Sequence, residues 1–537
     1  MIGAHNGVLG LSLLSAVGAV QYGYNHVTVR QDPEIVAANF RDVDVDLRSP
    51  YFLNPEGRQP GFPGGTQGPT SHEDMEAFME KIASRNDYMT YFTANFTSEE
   101  LRSFPYIQLS SSGFGSGSRR RSANQKVRVW LQAAAHGNEP AGDESLLALL
   151  GKFDAEPEWA TEILEKVELV ILPRYNPDGV FYFQRTLATN FDPNRDHIKL
   201  AREQTRQIKQ VFGEFNPHVV ADMHEYSATT QYGRYNHGSD GLFSAAKNLN
   251  INEDIRKSSE ELFAKNIGDA MEDAGLRWEP YVTGSSSTNP DHTVTFAEAG
   301  TDAKIGRNAM GLTQTIVFLI EMRGIFLADQ EFQRRTATGL TMATAVIQTA
   351  ADNAQEVYDT VEGGRDDFIN SDDEIVITDY TKLSERTFTM VDSTNGSVVQ
   401  APILFRSTTP ATANLTRARP EAYLIPAGWA DLAERLRVGG LEVETLGEFS
   451  GTVETYTITS TSFASGYYEG AVRVTATAEI GEREVTLPAG SFRISTKQKN
   501  AALAFVALEP ENIDSYVTFN IVPAAKGDEL PYYRIPA

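Results

Sequence analysis

The feature that most constrains the fold is the alternation of short apolar runs with helix-type segments between residues 126 and 350. Runs such as "VELVILPRY" and "LTQTIVFLIEMRG" have nearly continuous apolar centres, which are typical of strands covered on both faces. Segments such as "AREQTRQIKQVFGEF" lie between them and indicate helices. We therefore predict an α/β domain in which helices cover both faces of a sheet. In such sheets ligands bind at the carboxyl ends of the strands.

Beyond about residue 365 the sequence changes to short β-type runs separated by turn residues, such as "RTFTMVD" and "EREVTLPAGSFRIS". One helical segment, "AGWADLAERLRVGG", interrupts them. Because 537 residues exceed what one hydrophobic core normally organises, we expect two or more domains. The α/β domain is predicted to cover residues 71–360 and a mostly β domain residues 365–537, with the boundary near "VEGGRDDF" (361–368).

The amino terminus carries an apolar, uncharged run, "GVLGLSLLSAVGAV", at residues 7–20. The run is too short to span a bilayer and has the length of a signal-peptide core, so we predict a signal peptide over residues 1–20. No basic residues precede it, and a buried or disordered tail is the alternative. Residues 21–70 include "NPEGRQPGFPGGTQGP" and are predicted to be extended, either as a propeptide remnant or as an arm wrapped on the domain.

Composition narrows the classes of partner and chemistry. The absence of cysteine excludes disulfides, thiolate metal ligands and a cysteine nucleophile. The net charge of −25 argues against nucleic acid or an anionic membrane as partner. Sequons at Asn95, Asn395 and Asn414 fit a secreted glycoprotein, and we predict an extracellular location. The sequence leaves the oligomeric state open.

Four chemically interesting side chains lie at or near the ends of predicted strands. His136 and Glu139 follow "VRVWL", His224 ends "VVADMH", and Glu321 lies in "VFLIEMRG". Two histidines and a carboxylate suit a hydrolytic zinc site, which keeps its fourth position open for water. A further carboxylate beside such a site can accept the proton of the activated water. Glu321 is the candidate, because a carboxylate in an apolar strand is costly unless it faces a polar site.

The segment "NPDGVFYFQRTLATNFDPNRD" (176–196) adds Arg185 and Arg195 on predicted loops. A guanidinium group in such a place can stabilise a tetrahedral oxyanion or bind a carboxylate with two hydrogen bonds. These two arginines are therefore candidates for substrate recognition and for stabilisation of the transition state.

The chain contains, in this order, the motif HxxE, the motif NPDG, an arginine, the motif DxNR, a histidine at a strand end and a glutamate within a strand. With this ordered set, it resembles the M14 metallocarboxypeptidases over about residues 70–350. The resemblance implies a mixed central sheet flanked by helices, and one Zn²⁺ per chain bound by His136, Glu139 and His224. It also implies hydrolysis of the C-terminal peptide bond of peptides or proteins by a metal-activated water, with Glu321 as general base.

The same resemblance implies roles for the residues around the metal. Arg185 matches the arginine that stabilises the oxyanion, and Asn194 and Arg195 match the pair that binds the terminal carboxylate. Asp192 matches the carboxylate that orients the first zinc histidine. Tyr226 matches an aromatic position of the substrate site.

The chain departs from the pancreatic-type members at two places. Asn138 stands where those members have an arginine, and no tyrosine occurs between Tyr281 and Glu321 to cap the bound substrate. That role is empty or filled from elsewhere. The interval holds "GTDAKIGRNAMGL", which resembles a divergent branch of the family. Its Arg307 is a candidate to line the specificity pocket and favour an acidic C-terminal residue, with a surface arginine or a structural ion pair as the alternatives.

Two other functions remain open from the sequence. The altered pocket residues also fit a zinc amidase or deacylase that acts on a non-standard carboxylate-bearing amide. A carboxypeptidase-like fold retained as a non-catalytic binding protein is the third reading, and the intact set of ligands with Glu321 speaks against it. The C-terminal stretch resembles the extension of the divergent branch, for which we predict a role in packing or in substrate gating.

Overall fold

The computed structural model describes residues 29–54, 69–111 and 126–537. The predicted signal peptide (1–20) and most of the Gly- and Pro-rich stretch lie outside these residues. Within them, no helix is long and apolar enough to cross a membrane.

The described residues form strands that we number along the chain. They are β1 (Met89–Thr93), β2 (Pro105–Leu109), β3 (Val127–Ala133), β4 (Val167–Leu172), β5 (Val219–Tyr226), β6 (Gln231–Tyr232), β7 (Tyr235–His237), β8 (Gly241–Ala245), β9 (Trp278–Pro280), β10 (Val282–Gly284), β11 (Thr295–Glu298), β12 (Ile316–Arg323), β13 (Ile375–Asp392), β14 (Val398–Arg417), β15 (Ala422–Ile425), β16 (Glu444–Thr445), β17 (Phe449–Tyr468), β18 (Ala471–Leu487), β19 (Phe492–Ser495) and β20 (Tyr533–Ile535).

The α-helices are numbered in the same way. They are α1 (Glu34–Ala37), α2 (Pro50–Leu53), α3 (His72–Ala83), α4 (Pro140–Ala155), α5 (Pro157–Leu164), α6 (Pro177–Tyr182), α7 (Glu203–Phe215), α8 (Glu253–Ser258), α9 (Lys265–Asp273), α10 (Gly306–Gly311), α11 (Phe332–Asp352), α12 (Ala354–Asn370), α13 (Ala430–Val438) and α14 (Ala501–Leu508). A π-helical turn, Ser259–Ala264, joins α8 to α9.

The central sheet has eight strands in the order β1-β2-β4-β3-β5-β12-β8-β9. Strands β4, β3, β5 and β12 run parallel, whereas β1 and β2 are antiparallel to their neighbours. Strand β8 is antiparallel to β12 and parallel to β9. Every residue of β5 and β12 is buried, as their continuous apolar runs predict for strands covered on both faces. The sheet is thus mixed, with a parallel centre.

Helices pack on both faces of this sheet. Helices α4 and α11 pack on the face to which Met223 points, where Gly142 and Gly339 approach it closely. Asp222 and His224 point to the opposite face, because successive residues of a strand alternate. Helix α10 begins there, with Gly306 beside the Asp222 carboxylate. The α/β prediction is confirmed.

A second, six-stranded sheet has the order β10-β11-β14-β13-β7-β6. It joins short strands between residues 231 and 298 to the long hairpin β13–β14. The predicted boundary at 361–368 falls within helix α12 instead of a linker. The division into two domains stays a prediction, and this shared sheet crosses it.

The C-terminal region is mostly β, as predicted from its sequence. Its sheet has the order β16-β19-β15-β20-β17-β18. The predicted helix forms as α13, and a second helix, α14, is buried along its whole length. The sequence of α14, "AALAFVAL", is apolar throughout and therefore lacks the periodicity by which a helix is recognised.

Residues 29–54 lie along the α/β domain as an arm. Within them, Asp32 forms a buried ion pair with Arg323 at the end of β12, at 2.5 Å. The backbone N–H of Tyr51 donates to Glu144 of α4. The described part of the arm lines none of the pocket that surrounds His136 and Glu321.

Candidate metal centre and substrate pocket

The turn after β3 carries His136 and Glu139. Ala134 leaves the strand with a positive φ of 51°, and Glu139 is the residue that precedes helix α4, with Pro140 at its first position. Gly137 lies so close to Gly179 of the NPDG turn that a Cβ on it would fall 1.8 Å from the Gly179 carbonyl carbon. The two sequence motifs are therefore packed against each other, backbone to backbone.

His224 and Glu321 are direct neighbours across two parallel strands. In the register of β5 and β12, Glu321 is the partner of His224. Since registered residues of adjacent strands point to the same face, both side chains lie on the face that bears Asp222. The carboxyl ends of β3, β5 and β12 thus supply the predicted ligands and the predicted base.

His136, Glu139 and His224 form a buried cluster whose ligand atoms lie within 4.8 Å of one another. The Nδ1 atom of His136 lies 2.8 Å from Glu139 Oε1 and 3.1 Å from His224 Nδ1. The Nδ1 atom of His224 lies 2.9 Å from Glu139 Oε2. Ligands about 2.1 Å from a tetrahedral zinc ion lie about 3.4 Å apart, so this triangle of two nitrogens and a carboxylate fits Zn²⁺.

The other ring nitrogen of each histidine faces a carboxylate. His136 Nε2 lies 3.1 Å from Asp192 Oδ1, and His224 Nε2 lies 3.3 Å from Asp222 Oδ2. Such pairs fix the orientation of metal-binding imidazoles and raise their basicity. Asp192 lies where the resemblance implies. Asp222 was not predicted, although a carboxylate within the apolar run "HVVADMH" signals a polar site on that face.

The two carboxylates of the centre have opposite electrostatic surroundings. Burial alone would raise the pKa of Glu139, but the His136 and His224 imidazoles outweigh it and hold that pKa below its usual range. Burial raises the pKa of Glu321 to about 8, and the adjacent Glu139 charge adds to this rise while His224 opposes it. Glu139 is suited to remain an anionic ligand and Glu321 to exchange a proton.

Arg185 lies at the mouth of the centre, with 37% of its side chain exposed. Its Nε donates to Asp192 at 2.9 Å, and its Nη1 donates to Glu139 Oε1 at 3.4 Å. Burial would lower the pKa of Arg185, but Asp192 and Glu139 raise it. The guanidinium is held in place from one side and reaches the solvent from the other.

Asn194 and Arg195 follow Asp192 in a short 3₁₀ turn and both line the pocket. Asn194 is partly engaged, because its Oδ1 accepts from the Gly306 N–H at 2.7 Å. The Nη1 of Arg195 donates to the Asn194 carbonyl. Among the described residues, Arg195 forms no ion pair within 4.0 Å.

Arg307 is buried in the pocket wall on helix α10. Its Nη2 donates to the Gly300 carbonyl, whereas Nε and Nη1 have no hydrogen-bond partner among the described residues. Burial lowers the pKa of Arg307 to about 10, so the group stays charged at neutral pH. It is neither a surface arginine nor a member of an ion pair in the described part of the chain.

Two tyrosines lie beside the pocket, and their hydroxyl groups differ. Tyr226 turns its hydroxyl into the protein, where it donates to the Ser239 carbonyl. Tyr281 precedes β10 and lines the pocket, and burial together with the Glu321 charge raises its pKa. The sequence did not single out Tyr281, which lies forty residues before Glu321.

Asn138 lies outside the lining of the pocket. It is buried, and its Oδ1 has no hydrogen-bond partner among the described residues. Asn138 therefore lies in the turn between the two predicted ligands His136 and Glu139 and does not place an amide against the cavity.

The predicted residues His136, Glu139, Arg185, Arg195, Arg307 and Glu321 all border one cavity of about 610 Å³. Asn194, Tyr226 and Tyr281 complete part of its wall. A cavity of this size accepts one or two residues of a peptide. Arginines on its wall and a zinc-type ligand set at its base define a metallohydrolase site with anion-binding capacity.

Comparison with known proteins agrees with this class. The zinc carboxypeptidase family model, peptidase family M14, matches residues 75–324. The carboxypeptidase 2 of Trichophyton rubrum is 53% identical over 525 residues, which cover 97% of this chain and 96% of that one. The carboxypeptidase 2 of Trichophyton equinum is 52% identical over 522 residues, which cover 96% of each chain. A crystal structure of a metallo-carboxypeptidase from Burkholderia cenocepacia matches 52% of this chain and 70% of that one, with 18% identity and a TM-score of 0.40.

The chain belongs to the zinc carboxypeptidase family. It is therefore a zinc metallopeptidase, and its match to the relatives extends through the C-terminal region as well as through the residues of the family model.

Proposed function

We propose that the chain is a carboxypeptidase that releases the C-terminal residue of peptides or proteins and binds one Zn²⁺ through His136, Glu139 and His224. The observation that carries the proposal is the buried triangle of these three ligands beside Glu321, at the carboxyl ends of three parallel strands. The bound ion supplies a Lewis acid and lowers the pKa of water at the centre.

Glu321 is the proton carrier of the proposed reaction. Its register with His224 holds the carboxylate at the centre, and burial favours its protonated form once it has accepted a proton. In this role Glu321 accepts the proton of the attacking water and delivers a proton to the leaving amine.

Arg185 is placed to stabilise the oxyanion that forms at the scissile carbonyl. Asp192 and Glu139 hold one side of its guanidinium, which leaves the other side to donate towards the cavity. Asn194 and Arg195 lie further along the same loop and bind the terminal carboxylate of the substrate, which sets the register of the scissile bond. Tyr226 packs against the substrate space with its ring.

Arg307 gives the pocket a preference for acidic C-terminal residues. A C-terminal Glu or Asp carries two carboxylates, and the pocket holds two guanidinium groups, Arg195 and Arg307, without an acidic partner among the described residues. A buried charge without a partner is unfavourable, and a substrate carboxylate relieves that cost on binding. The substrate class that fits is therefore a peptide ending in Glu or Asp.

Metal analysis and a mixed peptide pool test the proposal together. We expect close to one zinc per chain, and loss of single C-terminal residues from the pool by mass spectrometry, abolished by a chelator and restored by Zn²⁺. Substoichiometric zinc in carefully prepared protein would contradict it. Hydrolysis of acylated amino acids without release of C-terminal residues would favour the amidase or deacylase alternative.

The Arg307→Met variant tests the acidic preference, with peptides that differ only in their last residue. We expect kcat/KM for C-terminal Glu to fall about 10- to 100-fold, since a charged hydrogen-bonding partner is lost, and kcat/KM for C-terminal Leu to change much less. Equal losses on both peptides would mean that Arg307 has a structural role.

We also propose that the protein is secreted and glycosylated. Asn95, Asn395 and Asn414 of the three sequons are all exposed, which glycosylation requires. The intact mass of protein from the culture medium, measured before and after enzymatic deglycosylation, tests both points.

A further inference from the structure

The hairpin β17–β18 of the C-terminal region reaches the loop that carries the substrate-binding residues. Its tip is the two-residue turn Glu469-Gly470, in which both residues have a positive φ, and Tyr468 and Ala471 close it. The Oε2 atom of Glu469 accepts from the backbone N–H of Asp192 at 2.8 Å. A residue 277 positions further along the chain thus contacts the loop between Phe191 and Asp196.

Two further contacts fix the tip in this position. Gly470 lies against the Phe191 ring so closely that a Cβ on it would fall 2.8 Å from a ring carbon. The Nζ atom of Lys199 donates to the Glu469 carbonyl at 3.2 Å, and it lies 5.2 Å from the centre of the Phe191 ring. The hairpin tip therefore contacts the loop at its backbone and at its aromatic residue, and it also contacts the lysine that follows the loop.

Asp192 is the residue of the loop on which most of the site depends. Its two carboxylate oxygens contact the His136 imidazole and the Arg185 guanidinium. Its Oδ1 also accepts from the Asn194 N–H at 2.8 Å, which sets the start of the turn that presents Arg195. A shift of the Asp192 backbone would move these contacts together.

The C-terminal region holds the neighbouring parts of the site as well. Arg435 of α13 donates to the Lys199 and Leu200 carbonyls, just beyond the same loop. The buried Asp514 accepts from the backbone N–H of Lys304 at 2.9 Å and pairs with its Nζ at 3.2 Å. Lys304 lies three residues before Arg307, so the second substrate-binding segment is fixed from the same side.

We propose that Glu469 is a positioning residue for the substrate-binding loop 191–196, and that the C-terminal region thereby sets the affinity of the pocket for a substrate carboxylate. Glu469 acts through the Asp192 backbone and does not itself border the cavity. The proposal rests on the proposed function, since it assumes that Asn194 and Arg195 bind the terminal carboxylate.

Three variants of the full chain test this role. Glu469→Ala removes the acceptor, and Glu469→Gln keeps an oxygen that can accept the same N–H. Glu479→Ala is the matched control, because Glu479 is exposed on the same hairpin. We expect Glu469→Ala to raise KM for a peptide with a free C-terminus about tenfold while kcat changes less than about threefold, since one hydrogen bond that orients the loop is lost. Glu469→Gln and Glu479→Ala stay within about threefold of the parent enzyme.

A binding measurement separates this proposal from the proposed function. In the zinc-loaded Glu321→Gln background, calorimetry gives the Kd of a peptide ending in Glu and of the same peptide with a C-terminal amide. We expect Glu469→Ala to weaken binding of the acid about tenfold and of the amide by less than about twofold. If the parent enzyme releases no C-terminal residue, the proposed function fails, and these Kd values still decide the role of Glu469.

Three results overturn the proposal. The first is a Glu469→Ala protein whose KM and Kd match those of Glu479→Ala. The second is an equal loss of affinity for the acid and the amide, which indicates a general disturbance of the fold. The third is a Glu469→Ala protein that fails to fold while Glu469→Gln shows a tenfold rise in KM, because Gln retains the acceptor. Circular dichroism and zinc content of each variant accompany the measurements.

Discussion

At the scale of single residues, side chains of the same type at the centre lie in different electrostatic surroundings. Glu139 and Glu321 are both buried carboxylates, yet the imidazoles lower the pKa of the first while burial raises that of the second to about 8. Arg185 is held by two carboxylates, whereas Arg307 has no acidic partner among the described residues. These differences match the separate roles proposed for Glu139 as ligand, Glu321 as base, Arg185 as oxyanion stabiliser and Arg307 as substrate-binding group.

Replacement of Glu321 by glutamine tests its role as proton carrier. We expect kcat to fall by about a thousandfold or more, because proton transfer by a positioned side chain contributes about 10² to 10⁴ in rate. Zinc content should stay at the level of the parent enzyme, since Glu321 is not one of the three ligands. Glu385→Gln, on an exposed part of β13, is the control and should leave kcat unchanged. A Glu321→Gln enzyme with substantial kcat would assign the proton transfer to another group.

Tyr281→Phe tests whether this tyrosine fills the role for which the sequence offered no candidate. The Tyr281 hydroxyl is protonated at neutral pH, and burial raises its pKa further, so it can donate to a substrate beside Glu321. We expect kcat/KM to fall about 5- to 50-fold through the loss of one hydrogen bond in a water-poor site. An unchanged kcat/KM on peptides of two different lengths would leave the capping role empty. Tyr226→Phe is the comparison, because its hydroxyl donates to a backbone carbonyl away from the cavity.

At the scale of elements, the site is a product of strand register and of two interlocked turns. The parallel pairing of β5 with β12 brings His224 opposite Glu321 although they are 97 positions apart. Backbone contact between Gly137 and Gly179 sets the HxxE turn against the NPDG turn. Glycine is required at Gly137 because no side chain fits in that space.

Gly137→Ala tests the interlocking of the two turns. The added Cβ meets backbone atoms, which cannot move aside as a side-chain tip could, so the turn that carries His136 and Glu139 must shift. We expect zinc affinity to fall at least tenfold, and the melting temperature of the metal-free protein to fall by several degrees. Gly213→Ala in α7 is the control, because a Cβ there meets nothing within 4 Å. Equal zinc affinity in both variants would contradict the tight contact.

The sequence predicts the strands and turns that carry the site better than it predicts which other side chains contact them in the folded protein. His136, Glu139, His224 and Glu321 were singled out because each follows, ends or lies in a long apolar run, and because their chain order matches a known family. The structure brings the first three together and sets Glu321 beside His224. Asp222 was overlooked although it stands two residues before His224, inside the apolar run "HVVADMH". Tyr281 was not proposed for the site because its place beside Glu321 depends on contact between segments that are distant in the chain. The same holds for Glu469, whose contact with Asp192 depends on how a hairpin from the C-terminal region packs. Helix α14 was missed for a local reason, since it has no polar face.

At the scale of the whole molecule, the α/β domain depends on segments from both ends of the chain. Strands β13 and β14 complete a sheet whose other strands, β6, β7, β10 and β11, lie between residues 231 and 298. Glu469, Arg435 and Asp514 fix the loops of the site from the C-terminal side. The arm at residues 29–54 fixes the end of β12 from the other side.

The arm is predicted to be an integral part of the fold. Asp32 and Arg323 are both 1% exposed in their side chains, and Arg323 lies two residues after Glu321. The Arg323 guanidinium also lies 3.9 Å from the centre of the Phe40 ring, which belongs to the same arm. A propeptide that is removed on activation would leave this buried guanidinium with Glu331 as its remaining acidic partner among the described residues.

Asp32→Ala tests this dependence. Removing one member of a buried ion pair leaves a desolvated charge, and we expect the free energy of unfolding to fall by about 3 kcal/mol. Asp46→Ala is the matched control, because Asp46 pairs with Arg48 on the exposed surface of the same arm and should cost less than about 1 kcal/mol. Denaturant unfolding of both variants, followed by tryptophan fluorescence, gives the two values. Equal stabilities would mean that the arm packs without supporting β12, and residues 29–54 would then be free to leave the enzyme as a propeptide does.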